Sequence, residues 1–154
     1  MRIAIGSDDA GEPLLKVVSD LLRQYPDIEV VDFSPPQSDR EEYYPDVAER
    51  VAVAIADQQF DRGILVCGTG IGMAITACKV PGVRAALCHD TYSAERARKS
   101  NNAQVLTMGA RVIGPELAKA IVSVWLESEF DENSASAPKV RRMIEIDEKY
   151  QHRH

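Results

Sequence analysis

The chain has 154 residues, 45% of them hydrophobic, a size that suits one domain, residues 1–154, with its own packed core. A formal net charge of −6 without any Lys/Arg cluster argues against nucleic acid as the partner, because phosphate-backbone binding needs a basic footprint. No run reaches the roughly 18 apolar residues of a membrane helix, and the strand-like start Met1-Arg2-Ile3-Ala4-Ile5-Gly6 does not read as a signal peptide. A soluble, cytoplasmic protein is therefore expected.

Strand and helix patterns alternate along the whole chain. Arg2 to Gly6 is a short apolar run that ends in the polar turn Ser7-Asp8-Asp9-Ala10-Gly11. Leu14, Val18, Leu21 and Leu22 follow at helical spacing. Ile28 to Phe33 reads as a second strand, and the polar loop to Tyr44 carries two prolines. Pro45 opens a helix, where proline is tolerated, with Val47, Val51, Ala54 and Ile55 as its apolar stripe. Gly63 to Cys67 is a third, buried strand. It runs into the glycine loop Gly68-Thr69-Gly70-Ile71-Gly72 and a helix with Ala74, Ile75, Ala77 and Cys78.

Val83 to Cys88 is the fourth strand, and His89-Asp90-Thr91-Tyr92 leads into a helix ending near Asn101. Gln104 to Met108 is the fifth strand. Pro115 to Glu127 is helical, with Leu117, Ile121, Val124 and Trp125 on one face. After the loop Ser134 to Pro138, an extra C-terminal helix from Lys139 buries Val140, Met143 and Ile144 and is placed to reach a neighbouring subunit. Five apolar strands separated by helices predict an α/β fold with a five-stranded parallel sheet covered on both faces. Ligands of such sheets bind beyond the carboxyl ends of the strands.

Those ends carry the candidate chemistry. Cys67 stands before a glycine-rich helix N-terminus, where converging N–H groups stabilise an anion, whether a thiolate or an oxyanion developing on a substrate. The competing reading is a buried structural cysteine beside a packing loop. The loop spacing is G-x-G-x-G, not that of dinucleotide sites, and no G-K-[ST] follows. Asp90 leaves a dinucleotide reading open, but no residues remain for a separate substrate domain. Asp8 and Asp9 follow the first strand; one is expected to face the site and the other to cap the helix, unless both are turn residues. His89 and Arg111 stand at further strand ends, Arg111 as the best-placed phosphate ligand. The three cysteines, Cys67, Cys78 and Cys88, form no CxxC pair, so neither a disulfide framework nor a zinc knuckle is expected. Two of the three histidines, His152 and His154, lie at the very end, which argues against a histidine metal site.

Taken in order, seven stretches resemble the ribose-5-phosphate isomerase B / galactose-6-phosphate isomerase family over nearly the whole chain. They are Gly6-Ser7-Asp8-x-Ala10-Gly11, Tyr44-Pro45, Cys67-Gly68-Thr69-Gly70-Ile71-Gly72, Ala77-x-Lys79-x-Pro81-Gly82-Val83-Arg84-Ala85, His89-Asp90-Thr91-Tyr92-Ser93-Ala94, Asn101-Asn102-Ala103-x-Val105-Leu106 and Gly109-x-Arg111-Val112-Ile113-Gly114. The resemblance implies a three-layer Rossmann-like fold and a homodimer or dimer of dimers with active sites at the subunit interface. It implies aldose–ketose isomerisation of a small phosphorylated sugar through a cis-enediolate, without metal or cofactor. By the same resemblance Cys67 is the base, Thr69 is a further catalytic residue, and the backbone from Gly68 to Gly72, through Gly70 and Ile71, is the anion hole for the enediolate. Asp8, Tyr44, Thr69 and Asn101 contact substrate hydroxyls. Arg111 contacts the phosphate. His89 is kept as a further substrate contact.

Three positions depart from the family pattern. Asp9 stands where the family usually has a phosphate-binding His, and Ser100 where it has the His that opens a furanose ring. In the C-terminal Arg-His-x-x-Arg stretch, only the second Arg has a basic counterpart, Lys139. A tetrose 4-phosphate cannot close a furanose, because its terminal oxygen carries the phosphate, so its enzyme can dispense with ring opening. D-erythrulose 4-phosphate and D-erythrose 4-phosphate are therefore the expected pair. Ribose-5-phosphate isomerisation and non-catalytic sugar-phosphate binding are the alternatives.

Overall fold

A computed structural model of the chain describes residues 1–151; His152 and His154 lie outside them. The elements run β1 (Arg2–Ser7), α1 (Glu12–Leu22), β2 (Glu29–Asp32), α2 (Tyr44–Ala56), β3 (Arg62–Cys67), α3 (Ile71–Ala77), β4 (Ala85–Leu87), α4 (Thr91–Lys99), β5 (Val105–Gly109), α5 (Pro115–Glu127) and α6 (Ala137–Tyr150). All strand pairs are parallel, in the order β2-β1-β3-β5-β4. The five-stranded parallel α/β fold is as expected from the alternating pattern.

Side-chain alternation along the strands divides the core into two layers. Ile3 and Ile5 of β1, Ile64 and Val66 of β3, and Leu106 and Met108 of β5 pack against α1, α4 and α5. Ala4, Leu65, Cys67 and Val105 face α2 and α3. The central strand β3 is buried along its whole length, as a strand covered on both faces should be. Cys67 is its last residue and points toward the α2–α3 layer.

Several local expectations shift. β3 begins one residue earlier than its apolar run, at Arg62, and this arginine is buried. Its guanidinium donates to the carbonyls of Trp125 (2.8 Å) and Ser128 (3.0 Å) and to Glu129 Oε1 (2.8 Å), and lies over the Trp125 ring. β4 keeps only Ala85–Leu87 of the expected Val83–Cys88, because the chain turns away after Leu87. α6 starts at Ala137, before Lys139, and buries Ala137 and Val140. Met143, expected in the core, is 38% exposed in the isolated chain, and Ile144 is only half-buried. On α5 the core position next to Leu117 is taken by Ala118, and Leu117 faces outward.

Candidate active site

The carboxyl ends of β1, β3 and β5 meet where the sheet order reverses, between β1 and β3, the switch point at which such folds bind ligands. The Asp8–Gly11 turn after β1 lies directly on the end of β3: a methyl at Gly11 would strike the Val66 carbonyl and come within 3.1 Å of Cys67 Cα. Asp8 Oδ1 accepts the Gly11 N–H at 2.9 Å. The N-cap of α1 is Gly11 and no side chain caps it. The expected split between a site carboxylate and a capping carboxylate therefore does not occur. The turn leaves Asp9 exposed, on the wall of a cleft.

Cys67 Sγ is buried and accepts the Gly70 N–H at 3.1 Å. Gly70 can do this because its φ is +78°, a left-handed conformation that turns the backbone back toward the thiol. Thr107 Oγ1 donates to the Gly70 carbonyl at 2.9 Å. β5 secures the rest of the loop: Ala110 N–H donates to the Cys67 carbonyl (2.9 Å) and Arg111 N–H to the Gly68 carbonyl (3.0 Å). The carbonyls of Cys67, Gly68 and Gly70 are thus all held. Among the described residues, none accepts from the N–H of Gly68, Thr69 or Gly72. The Thr69 hydroxyl accepts from Ile71 N–H at 3.3 Å.

Two side chains close on this loop. The Arg111 guanidinium lies over Gly68, where an added methyl would be 3.4 Å from its Nη1. The Tyr44 ring, at the start of α2, packs against Gly72 so closely that a methyl there would sit 2.6 Å from the phenol oxygen. Asp8, Asp9, Tyr44 and Arg111 line one open cleft of about 960 Å³, together with Glu41 and Glu42. Sequence reasoning missed these two glutamates, which sit in a loop without periodicity. His89 lies on the far side of β5, where its Nε2 accepts the Gly109 N–H at 2.9 Å.

Asn101 and Lys139 are not brought to this cleft. Asn101 follows α4, at the opposite end of the strands, and lines a separate groove of about 460 Å³ with Arg84, Met143 and Asp147. Lys139 is exposed in the first turn of α6. Among the described residues, no group of three or more His, Cys, Asp and Glu side chains is placed to hold a metal ion.

Fold and loop together define an α/β protein with a buried thiol and a glycine-rich loop at its switch point. A model of the family described as Ribose/Galactose Isomerase matches residues 3–143. A D-erythrulose-4-phosphate isomerase of Pectobacterium atrosepticum is 55% identical over 153 residues, which cover 98% of this chain and 99% of the relative. A ribose-5-P isomerase B of Listeria innocua is 50% identical over 149 residues, 97% of this chain and 99% of that one. The solved structure of Clostridium thermocellum ribose-5-phosphate isomerase B matches with a TM-score of 0.89 at 42% identity, covering 98% of this chain and 100% of that chain. The chain belongs to the Ribose/Galactose Isomerase family. The expected class, a sugar-phosphate isomerase, is borne out by these relatives.

Proposed function

We propose that the protein interconverts D-erythrulose 4-phosphate and D-erythrose 4-phosphate. The observation that carries this reading is the near full-length likeness, at 55% identity, to a D-erythrulose-4-phosphate isomerase. Ser100, at the position of the family's ring-opening His, supports the same substrate.

Cys67, as thiolate, takes the proton from C1 of the ketose. The electron pair forms the enediol double bond, and negative charge moves onto the C2 oxygen. The N–H groups of Gly68, Thr69 and Gly72, from which no described residue accepts, are read as the donors that meet this oxyanion; a preorganised donor of this kind is worth about a hundred- to thousand-fold in rate. A proton passes from the C1 hydroxyl to the C2 oxygen, and return of the carbon-bound proton to C2, as the C1–O bond becomes the carbonyl, completes the aldose. Arg111 beside Gly68 takes the phosphate, and Asp8, Tyr44 and Thr69 take hydroxyls. Asp9 and Glu41 would repel a phosphate, which favours the Arg111 end of the cleft for that group.

Asn101 and Lys139 enter this reading from a second copy of the chain, because their own copy holds them away from Cys67. The functional unit would then be a homodimer or a dimer of dimers. The test is a coupled assay across tetrose, pentose and hexose phosphates, with wild type and Cys67→Ala. Preferred turnover of erythrulose 4-phosphate that is lost in C67A is the expected result. Much faster turnover of ribose 5-phosphate would favour the second reading, ribose-5-phosphate isomerisation, which the 50% identical Listeria relative supports.

A further inference from the structure

We propose that His89 is a positioning residue, which holds the end of β5 in place and, through it, the loop that carries Cys67. The last residue pair of β4 with β5 is Leu87 with Thr107. Cys88 N–H still donates to the Thr107 carbonyl at 3.1 Å, after which the chain turns into α4. The Gly109 N–H lies beyond that last pair. The imidazole Nε2 of His89, 2.9 Å away, supplies the acceptor that the strand no longer does.

Gly109 is where the Cys67 loop rests. It pairs with Cys67 across the sheet. A methyl on Gly109 would lie 2.6–2.7 Å from the backbone of Thr69. The next two residues, Ala110 and Arg111, donate to the carbonyls of Cys67 and Gly68. Residues 109–111 thus grip residues 67–69 at three successive points. A shift at Gly109 would move the thiol, the loop backbone at 68–69 and Arg111 together.

The bond also sets the protonation state. An Nε2 that accepts leaves the ring proton on Nδ1 and the ring neutral. A protonated ring would present an N–H to the Gly109 N–H. Burial lowers the His89 pKa from its ordinary value, in the same sense. The ionisable groups flanking it on its own segment are the Cys88 thiol, pushed up to about 11 by burial, and Asp90, whose carboxylate is occupied by the Ser93 N–H. Across the hydrogen bond, the segment it holds carries Arg111 and abuts Cys67.

The role rests on the reading of Cys67 as the base. The test compares His89→Ala with His89→Gln, whose amide oxygen can occupy the Nε2 position. H89A should lower kcat for erythrulose 4-phosphate by about ten-fold or more with KM changed less than about two-fold, and H89Q should recover most of the loss. Long-range proton–nitrogen NMR on a His152→Gln/His154→Gln background, where His89 is the one histidine left, should show the Nδ1–H tautomer.

An Nε2–H tautomer overturns the proposal. So does a rise in KM at constant kcat that Gln does not rescue, which would make His89 a substrate contact. If instead C67A keeps full activity while the Nδ1–H tautomer is seen, the base assignment fails and the His89–Gly109 bond stands.

Discussion

Cys67 joins a buried sulfur to a glycine loop whose Gly70 N–H it accepts, and single substitutions around it separate chemistry from folding. Cys67→Ala should lower kcat by about a hundred- to ten-thousand-fold, the range for a positioned base, and leave the thermal melt within a few degrees. Gly70→Ala should damage both. Its φ of +78° disfavours a side chain, and the added methyl would meet Met108 backbone carbon at 2.7 Å. A loss of about 1–3 kcal/mol in urea unfolding is expected, together with lost activity, because the Gly70 N–H leaves the sulfur. His89 adds a pH term. Its folded-state pKa is lowered, so its contribution to stability is complete above the unfolded value of about 6.5 and is lost as pH falls through the folded value. Urea midpoints measured from pH 8 to 5 should decline for wild type and decline less for H89Q. At this scale the glycine loop was legible, because a cysteine, three glycines and a helix start are contiguous. The His89–Gly109 bond was not, since its partners are 20 residues apart and one of them is a backbone N–H.

The element that completes the cleft is the loop 34–43, and Arg50 of α2 holds it from both sides. Its guanidinium donates to the Phe33 and Pro35 carbonyls at the loop's start and to both Glu42 oxygens, at 2.8 and 2.9 Å, near its end. The ion pair is largely shielded from water. Arg50→Ala should cost about 2–3 kcal/mol, since a mostly buried carboxylate and two carbonyls lose their donor. It should also raise KM more than it lowers kcat, because Tyr44 and Glu41 are set by this loop while Cys67 is not. Strands were easy to read here because burial on both faces makes them continuous apolar runs. Arg62 was hidden for the same reason: a charge at a strand's first position reads as loop, and its acceptors come more than 60 residues later. α6 was overread because an apolar stripe does not say whether it meets the same chain or another.

At the scale of the whole molecule, the side chains of Ile71, Ile75, Leu87, Tyr92, Met143 and Ile146 are exposed in the isolated chain, and the homodimer proposed above is expected to cover them. Equilibrium sedimentation should give a dimer or larger assembly. The arrangement proposed above makes a sharper claim, that one copy's Cys67 works with the other copy's Asn101. C67A and N101A should each be nearly inactive, and their mixture should recover about a quarter of wild-type activity, since half of the random pairs are mixed and each mixed pair has one intact site. No recovery after subunit exchange would place Asn101 outside the site. Finally, Asp8, Asp9 and Glu41 line the cleft of a chain of net charge −6, and among the described residues that line it Arg111 is the one cation. A phosphorylated sugar must approach against this field. Its encounter with the enzyme should therefore quicken as added salt shortens the Debye length toward about 8 Å, so that kcat/KM rises with ionic strength while kcat stays level.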